Sequence, residues 1–223
     1  MTIESSTVIL SIIVLAAGAS RRMGKPKPLL PFDDETCLSL VLRACVQSRA
    51  VETILVLGEQ AEAIRAHALS RYGGHLPSGV SIVVNERHEQ GQTSSLKAGL
   101  EAVSPRADAF VVLPVDHPLV THVDVDTLMD RFEAHPRGRT IFIATYEEQR
   151  GHPVLFGMSH RAPVLEMGDD EPLNGYVRLR EGETLLVRMD NPGVVSGMNT
   201  PQDYERLLAM YHSGQPRRAG GVS

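Results

Sequence analysis

The chain predicts an α/β fold, three layers deep, with a mostly parallel sheet, and three observations carry that prediction. Short β-branched runs alternate with segments of helical period. The runs are almost continuously apolar, as strands covered on both faces are. A length of 223 residues, 42% hydrophobic and 22% charged, suits one sizeable core. One domain over residues 1–212, with a tail at 213–223, is the expected division.

The first strand falls at residues 8–15. The apolar run 8–17 has the length of a secretory h-region, but Glu4 precedes it, no Lys or Arg does, and ten residues cannot span a bilayer. A buried strand is the better reading. Leu38, Val41, Leu42 and Cys45 then share one helical face. Cys37 and Cys45, eight residues apart on that helix, are separated by roughly 12 Å at the helical rise, too far for a disulfide. Two unpaired cysteines fit a reducing compartment and a cytoplasmic location.

Further strands read at 53–57, 80–85, 109–113 and 141–146. Between them Val125, Leu128, Met129 and Phe132 share a helical face, and Ala61, Ile64 and Leu69 keep a weaker one. After Tyr146 the pattern is irregular: 152–156 is strand-like, 168–175 is rich in Gly and Asp, and 184–188 is strand-like again. Thr200-Pro201-Gln202-Asp203 reads as a helix start, capped by Thr200 with Asp203 capping back, and the helix runs to about Tyr211. Residues 213–223 lack apolar periodicity and read as a mobile tail.

A formal charge of −5 and a pI near 6.0 exclude a general nucleic-acid binder, which needs a broad basic face. No stretch reads as a membrane span. Against the acidic background, Arg21, Arg22, Lys25 and Lys27 gather positive charge where one small anion would sit. In open parallel sheets ligands bind beyond the carboxyl ends of the strands, and the loop 16–27 is the first to leave that edge. Its small residues Ala16, Ala17, Gly18 and Ala19 let a ligand press against backbone N–H groups. Arg22 and Lys27 are placed to neutralise a polyphosphate. The loop is neither G-x-G-x-x-G nor G-x-x-x-x-G-K-[ST], which takes support from dinucleotide oxidoreduction and P-loop hydrolysis. By composition alone a solvated strand-to-helix loop explains it equally well.

The segment LAAGASRRMGKPKPLLP resembles the pattern L-A-A-G-x-x-x-R-M-G-x-x-K of the MobA-like nucleotidyltransferase superfamily, most of all its molybdenum cofactor cytidylyltransferase branch. The resemblance spans about residues 8–210. It implies a Rossmann-like three-layer αβα nucleotidyltransferase fold, with a nucleotide-binding half over about 8–120 and an acceptor half over about 121–212. It also implies Arg22 and Lys27 on the triphosphate and Leu15, Ala16, Ala17 and Gly18 beside the nucleotide. Ala17 stands where guanylyl-transferring relatives have glycine, which points to cytosine.

GQTSSLKAGL, following Asn85, is similar to the family's G-x-S-S-S-L-x-A-G-L. Asn85, Ser94 and Ser95 are thereby implied as nucleotide contacts; N-capping of a helix by Thr93 or Ser94 is the structural alternative. LPVDHPLV puts Asp116 just past an apolar strand, where a lone carboxylate suits Mg²⁺; a turn before Pro118 explains it too. The resemblance makes Asp116 a metal ligand and Asn199, in GMNTP, the second one, although relatives often read D-x-D-T-P there. RGHPVLF resembles an acceptor-side stretch, implying acceptor contacts at Gly151 and His152, with a packed histidine as the alternative. Gly168-Asp169 matches the start of a family G-D-x-G-x-R pattern, but Glu171, Pro172 and Asn174 break it.

The implied reaction is Mg²⁺-dependent transfer of CMP from CTP to a phosphorylated acceptor, molybdopterin by resemblance, releasing pyrophosphate. Lys27, Arg22 and Asp116 are the catalytic residues expected. A transient partner would be a molybdenum hydroxylase or its chaperone. Cytidylyl or uridylyl transfer to a sugar or polyol phosphate is one rival, and a non-catalytic nucleotide-binding module or cofactor chaperone is another.

Overall fold

A computed structural model describes residues 8–18, 20, 23–135 and 140–214. In chain order the elements are β1 (Leu10–Ala16), β2 (Pro31–Phe32), β3 (Glu35–Thr36), α1 (Cys37–Gln47), β4 (Glu52–Leu57), α2 (Ala61–Arg71), β5 (Val80–Val84), α3 (Gln92–Ala102), β6 (Ala109–Pro114), α4 (His122–Ala134), β7 (Ile141–Tyr146), β8 (Gln149–Gly157), α5 (Arg161–Glu166), α6 (Leu173–Arg178), β9 (Thr184–Arg188) and α7 (Pro201–Gly214). The main sheet has the order β5-β4-β1-β6-β8-β7-β9, and β2 and β3 make a separate two-stranded ribbon.

The apolar run is a strand at the centre of the sheet. All seven residues of β1 are buried, and β4 and β6 flank it in parallel. Because side chains alternate across a strand, Leu10, Ile12, Val14 and Ala16 enter one core with α1, α2, α4 and α7. Ile13 and Leu15 enter a second core with α3, α5 and α6. Two cores on opposite faces of one sheet are the three layers expected. β5 departs from the expectation of doubly covered strands: it lies at the sheet edge, with Ser81 and Val84 exposed.

Helix starts follow from local chemistry. Thr36 and Ser39 cap α1 reciprocally, with Ser39 N donating to Thr36 Oγ1 at 3.3 Å and Thr36 N to Ser39 Oγ at 2.8 Å. At α7 the expected box forms: Asp203 N donates to Thr200 Oγ1 at 3.2 Å and Thr200 N to Asp203 Oδ2 at 2.9 Å. That helix runs three residues past Tyr211, so Ser213 and Gly214 are helical, while the rest of the expected tail lies outside the described residues. Neither Thr93 nor Ser94 caps α3; both lie inside the helix, whose cap position is Gly91. Cys37 and Cys45 are buried free thiols on α1, both pushed up by burial. No helix among the described residues is long and apolar enough to cross a membrane.

The irregular second half has a topological cause. After β7 the chain reverses through Glu147 and Glu148, at φ 45° and 67°, and β8 inserts antiparallel between β6 and β7. β9 returns parallel to β7. The carboxyl ends of β1 and β6 stay side by side, with Leu15 opposite Pro114, so the loops after these strands share one edge of the sheet.

Candidate active site

Three segments far apart in sequence meet at that edge. Ser20, held at φ 51°, accepts a hydrogen bond at its Oγ from Lys27 N at 2.9 Å, which folds the glycine-containing loop back on itself. Lys27 Nζ then donates to Asp116 Oδ2 at 2.8 Å and to Asn199 Oδ1 at 3.0 Å. Backbone bonds hold those partners: Met198 N donates to Asp116 O at 2.9 Å, and Asn199 N to Asp203 Oδ2 at 3.0 Å. Beneath, the Cys37 thiol donates to Val115 O at 2.9 Å and steadies the turn that carries Asp116.

Burial pushes the Asp116 carboxyl up, but the His117 hydrogen bond and charge, with Lys27 behind them, outweigh it and hold it well below the usual carboxylate range. Asp116 is therefore an anion at neutral pH. His117 Nδ1 lies 3.1 Å from Asp116 Oδ1, and its ring meets that of His152 edge-on, centroids 4.7 Å apart. Burial first, and His117 second, hold His152 down to about 3, against Asp116 and a Val112 backbone contact, so the ring is neutral. Its Nδ1 is buried with no hydrogen-bond partner among the described residues.

Two cavities adjoin here. The smaller, about 440 Å³, is lined by Leu15, Ala16, Ala17, Gly18, Lys27 and Asp116 among others. The larger, about 800 Å³, takes in Gly151, His152 and Phe156. Leu15, Gln92 and Asn199 line both, so they form the partition. Gly151 is required by packing, since a Cβ there would run into the Val194 carbonyl. Among the described residues nothing lies within 4 Å of where a Cβ on Gly18 would stand, and Gly18 lines the smaller cavity.

Of the residues expected at the nucleotide, Arg22 lies outside the described residues. Ser95 lines the smaller cavity. Asn85 and Ser94 are not among the residues lining either cavity. Asn85 Nδ2 donates to Ser94 Oγ at 2.9 Å and to Ser95 Oγ at 3.1 Å, and Ser94 Oγ is directed at the carbonyls of Arg87 and Gly91. The pair shapes the loop between β5 and α3 from within, with Ser94 fully buried. Gln92, His88 and His117 are cavity residues to which the sequence assigned no role. Gln92 and His117 sit inside the quoted motifs, the one available signal for them.

Asp116 and Asn199 fit a hard divalent cation. Their oxygens converge on one point, now taken by the Lys27 ammonium, so the pair already selects positive charge. Among the described residues no group of three or more His, Cys, Asp or Glu side chains would cage a metal alone. An ion here would complete its shell with phosphate oxygens and water, as Mg²⁺ commonly does.

The MobA-like NTP transferase domain matches residues 12–185. The chain belongs to the MobA-like NTP transferase family. It is a nucleotidyltransferase of that family, whose members generally use a divalent metal with the nucleoside triphosphate. The molybdenum cofactor cytidylyltransferase of Escherichia coli K12 is 27% identical over 197 residues, 86% of this chain and 92% of its own. The nicotine blue oxidoreductase of Paenarthrobacter nicotinovorans is 29% identical over 206 residues, 88% and 95% of the two chains. A crystal structure of Rv0371c from Mycobacterium tuberculosis in complex with manganese superimposes with a TM-score of 0.74 at 28% identity, over 91% of this MobA-like chain and 99% of that one.

Proposed function

We propose that the chain transfers CMP from CTP to molybdopterin with Mg²⁺ and releases pyrophosphate. The observation that carries this reading is the convergence of Lys27, Asp116 and Asn199 on one point where the smaller cavity, of about 440 Å³, adjoins the larger one. An oxygen of the acceptor phosphate attacks the α-phosphorus of CTP in line; the new P–O bond forms as the bond to the bridging oxygen breaks, and pyrophosphate leaves with that electron pair. The attacking phosphate is already ionised, so no general base is needed.

Lys27 swings from Asp116 to the α-phosphate and meets the charge developing there. The backbone of Ala16, Ala17 and Gly18 bears the nucleotide, and Arg22 holds the departing pyrophosphate. Asp116 and Asn199 hold the divalent ion, which when bound neutralises phosphate charge. The protein contributes position and charge rather than covalent chemistry. Ala17 takes up room that glycine would leave, and a smaller cavity supports a pyrimidine; the name of the Escherichia coli relative supports the same choice. The two free buried thiols support a cytoplasmic location.

The larger cavity supports an acceptor with a ring and an anionic group. Its floor is apolar, from Leu96, Ile143, Val154 and Phe156, and Gly151 and His152 close one side. Arginines stand on its wall. Arg150 lies 3.6 Å from Glu181 and Arg206 3.2 Å from Asp203, whereas Arg178 has no ion pair among the described residues. Among the described arginines of that wall, Arg178 is the one left for an acceptor phosphate. Arg178→Gln therefore raises KM for the acceptor about tenfold, the scale of one lost charge-assisted bond. KM for CTP stays within twofold, and steady-state kinetics with each substrate varied checks both.

The reading is tested by pyrophosphate release from each of the four ribonucleoside triphosphates, with molybdopterin, sugar phosphates and polyol phosphates as acceptors, with and without Mg²⁺. Release from CTP that needs both molybdopterin and Mg²⁺ supports it. Release with a sugar or polyol phosphate instead reassigns the acceptor, and CTP binding without release from any mixture makes the chain a non-catalytic binding module.

A further inference from the structure

We propose that Asp169 is a positioning residue that clamps the acceptor-side loop 167–171 to the first turns of α3 and so keeps the walls of the two cavities in register. The inference rests on the transferase reading above.

The clamp is built from four contacts on one short segment. Arg87 Nη1 donates to Asp169 Oδ2 at 3.0 Å, and Lys97 Nζ to Asp169 Oδ1 at 2.8 Å, so each carboxylate oxygen takes one cation. The same Lys97 ammonium donates to the Met167 carbonyl, and Thr93 Oγ1 to the Glu171 carbonyl. Gly91, at φ +136°, lets the loop lie against the helix start, since a Cβ there would stand 2.7 Å from Asp169 O.

The start of α3 lines both cavities, with Thr93 and Leu96 on the larger and Gly91 and Ser95 on the smaller, so the loop held against it meets the place where the two adjoin. Gly91 lines the smaller cavity, Asp170, Glu171 and Pro172 line the larger, and Gln92, between Gly91 and Thr93, lines both. Asp169, Lys97 and Arg87 line neither, so the clamp acts through the residues that it holds. The fold does not depend on it: α5 and α6 are anchored separately by Val164, Tyr176 and Val177 in the core, and a partly exposed ion pair adds little to global stability. Transfer does depend on it, because two bound substrates react at a rate set by their alignment, and a displacement of about 1 Å costs on the order of 10²-fold.

Asp169→Asn in the full chain tests the proposal by two readouts. In kinetics, kcat with CTP and molybdopterin falls at least about tenfold while the Kd for CTP and the melting temperature hardly move. The double variant with Lys97→Met is no slower than the worse single one, because both break one clamp. In amide hydrogen exchange, segments 91–95 and 167–171 exchange faster and the central strands do not. Wild-type kcat in Asp169→Asn overturns the proposal, as does a fall in CTP affinity that tracks a lower melting temperature. If the wild-type chain releases no pyrophosphate, the transferase reading fails by itself. Exchange then decides the clamp, and unchanged exchange in the two segments overturns it.

Discussion

Lys27→Ala lowers the rate of pyrophosphate release by about 10²- to 10³-fold, the scale for losing one charge contact made in the transition state. Its second effect is more diagnostic. In the free chain the Lys27 ammonium sits 2.8 Å from Asp116 Oδ2 and 3.0 Å from Asn199 Oδ1, on the two oxygens assigned to the divalent ion. The two cations compete for one site, and removing the lysine removes the competitor. The Mg²⁺ concentration for half-maximal rate therefore stays level or falls while turnover collapses. A magnesium titration of the variant under saturating CTP checks both, and unaltered turnover, or a raised magnesium requirement, contradicts the assignment of Lys27 to the phosphate.

Asp116→Asn moves the magnesium requirement the other way. The substitution keeps the shape and an acceptor for His117 Nδ1, now 3.1 Å from Oδ1, but removes the charge. Asn199 alone then offers a neutral oxygen, and the stabilisation of phosphate charge by a bound ion, worth several kcal/mol, is largely lost. Turnover falls by at least about 10²-fold, and the half-saturating Mg²⁺ concentration rises. Because the Asp116 carboxyl is held well below the usual carboxylate range, its protonation imposes no loss of activity near neutral pH. A variant with wild-type magnesium dependence contradicts the role given to Asp116.

These residues were legible in the sequence for different reasons. Lys27 stands in a compact loop motif after an apolar strand, so position and chemistry appear together. Asp116 lies 89 residues from Lys27 and Asn199 lies 172 residues from it; only the parallel pairing of β1 with β6, and the return of the chain before α7, bring them together. The core strands were legible because a strand covered on both faces must be apolar throughout. β8 was only partly so: its hairpin turns on Glu147 and Glu148 rather than the Asn-Gly pair that such turns favour, and nothing local announces a reversal into the middle of the sheet.

Asn85 and Ser94 show how little a local motif says about where a side chain points. A hydroxyl-rich helix start reads alike whether its side chains face a ligand or the protein's own backbone, and here Ser94 faces the carbonyls of Arg87 and Gly91 while Ser95 lines the smaller cavity. The role proposed for Arg178 was invisible in the sequence because it rests on what its neighbours do: Arg150 and Arg206 are paired with carboxylates, and that pairing exists only after folding.

A crystal structure with Mg²⁺ and a non-hydrolysable CTP analogue decides whether Lys27, Asp116 and Asn199 serve one bound triphosphate. The expected result is the triphosphate across Ala16, Ala17 and Gly18, the ion on Asp116 and Asn199, and Lys27 Nζ moved from Asp116 to the α-phosphate. An analogue bound elsewhere, or a triphosphate in this cavity with Lys27 still paired to Asp116 and no ion between them, would contradict it.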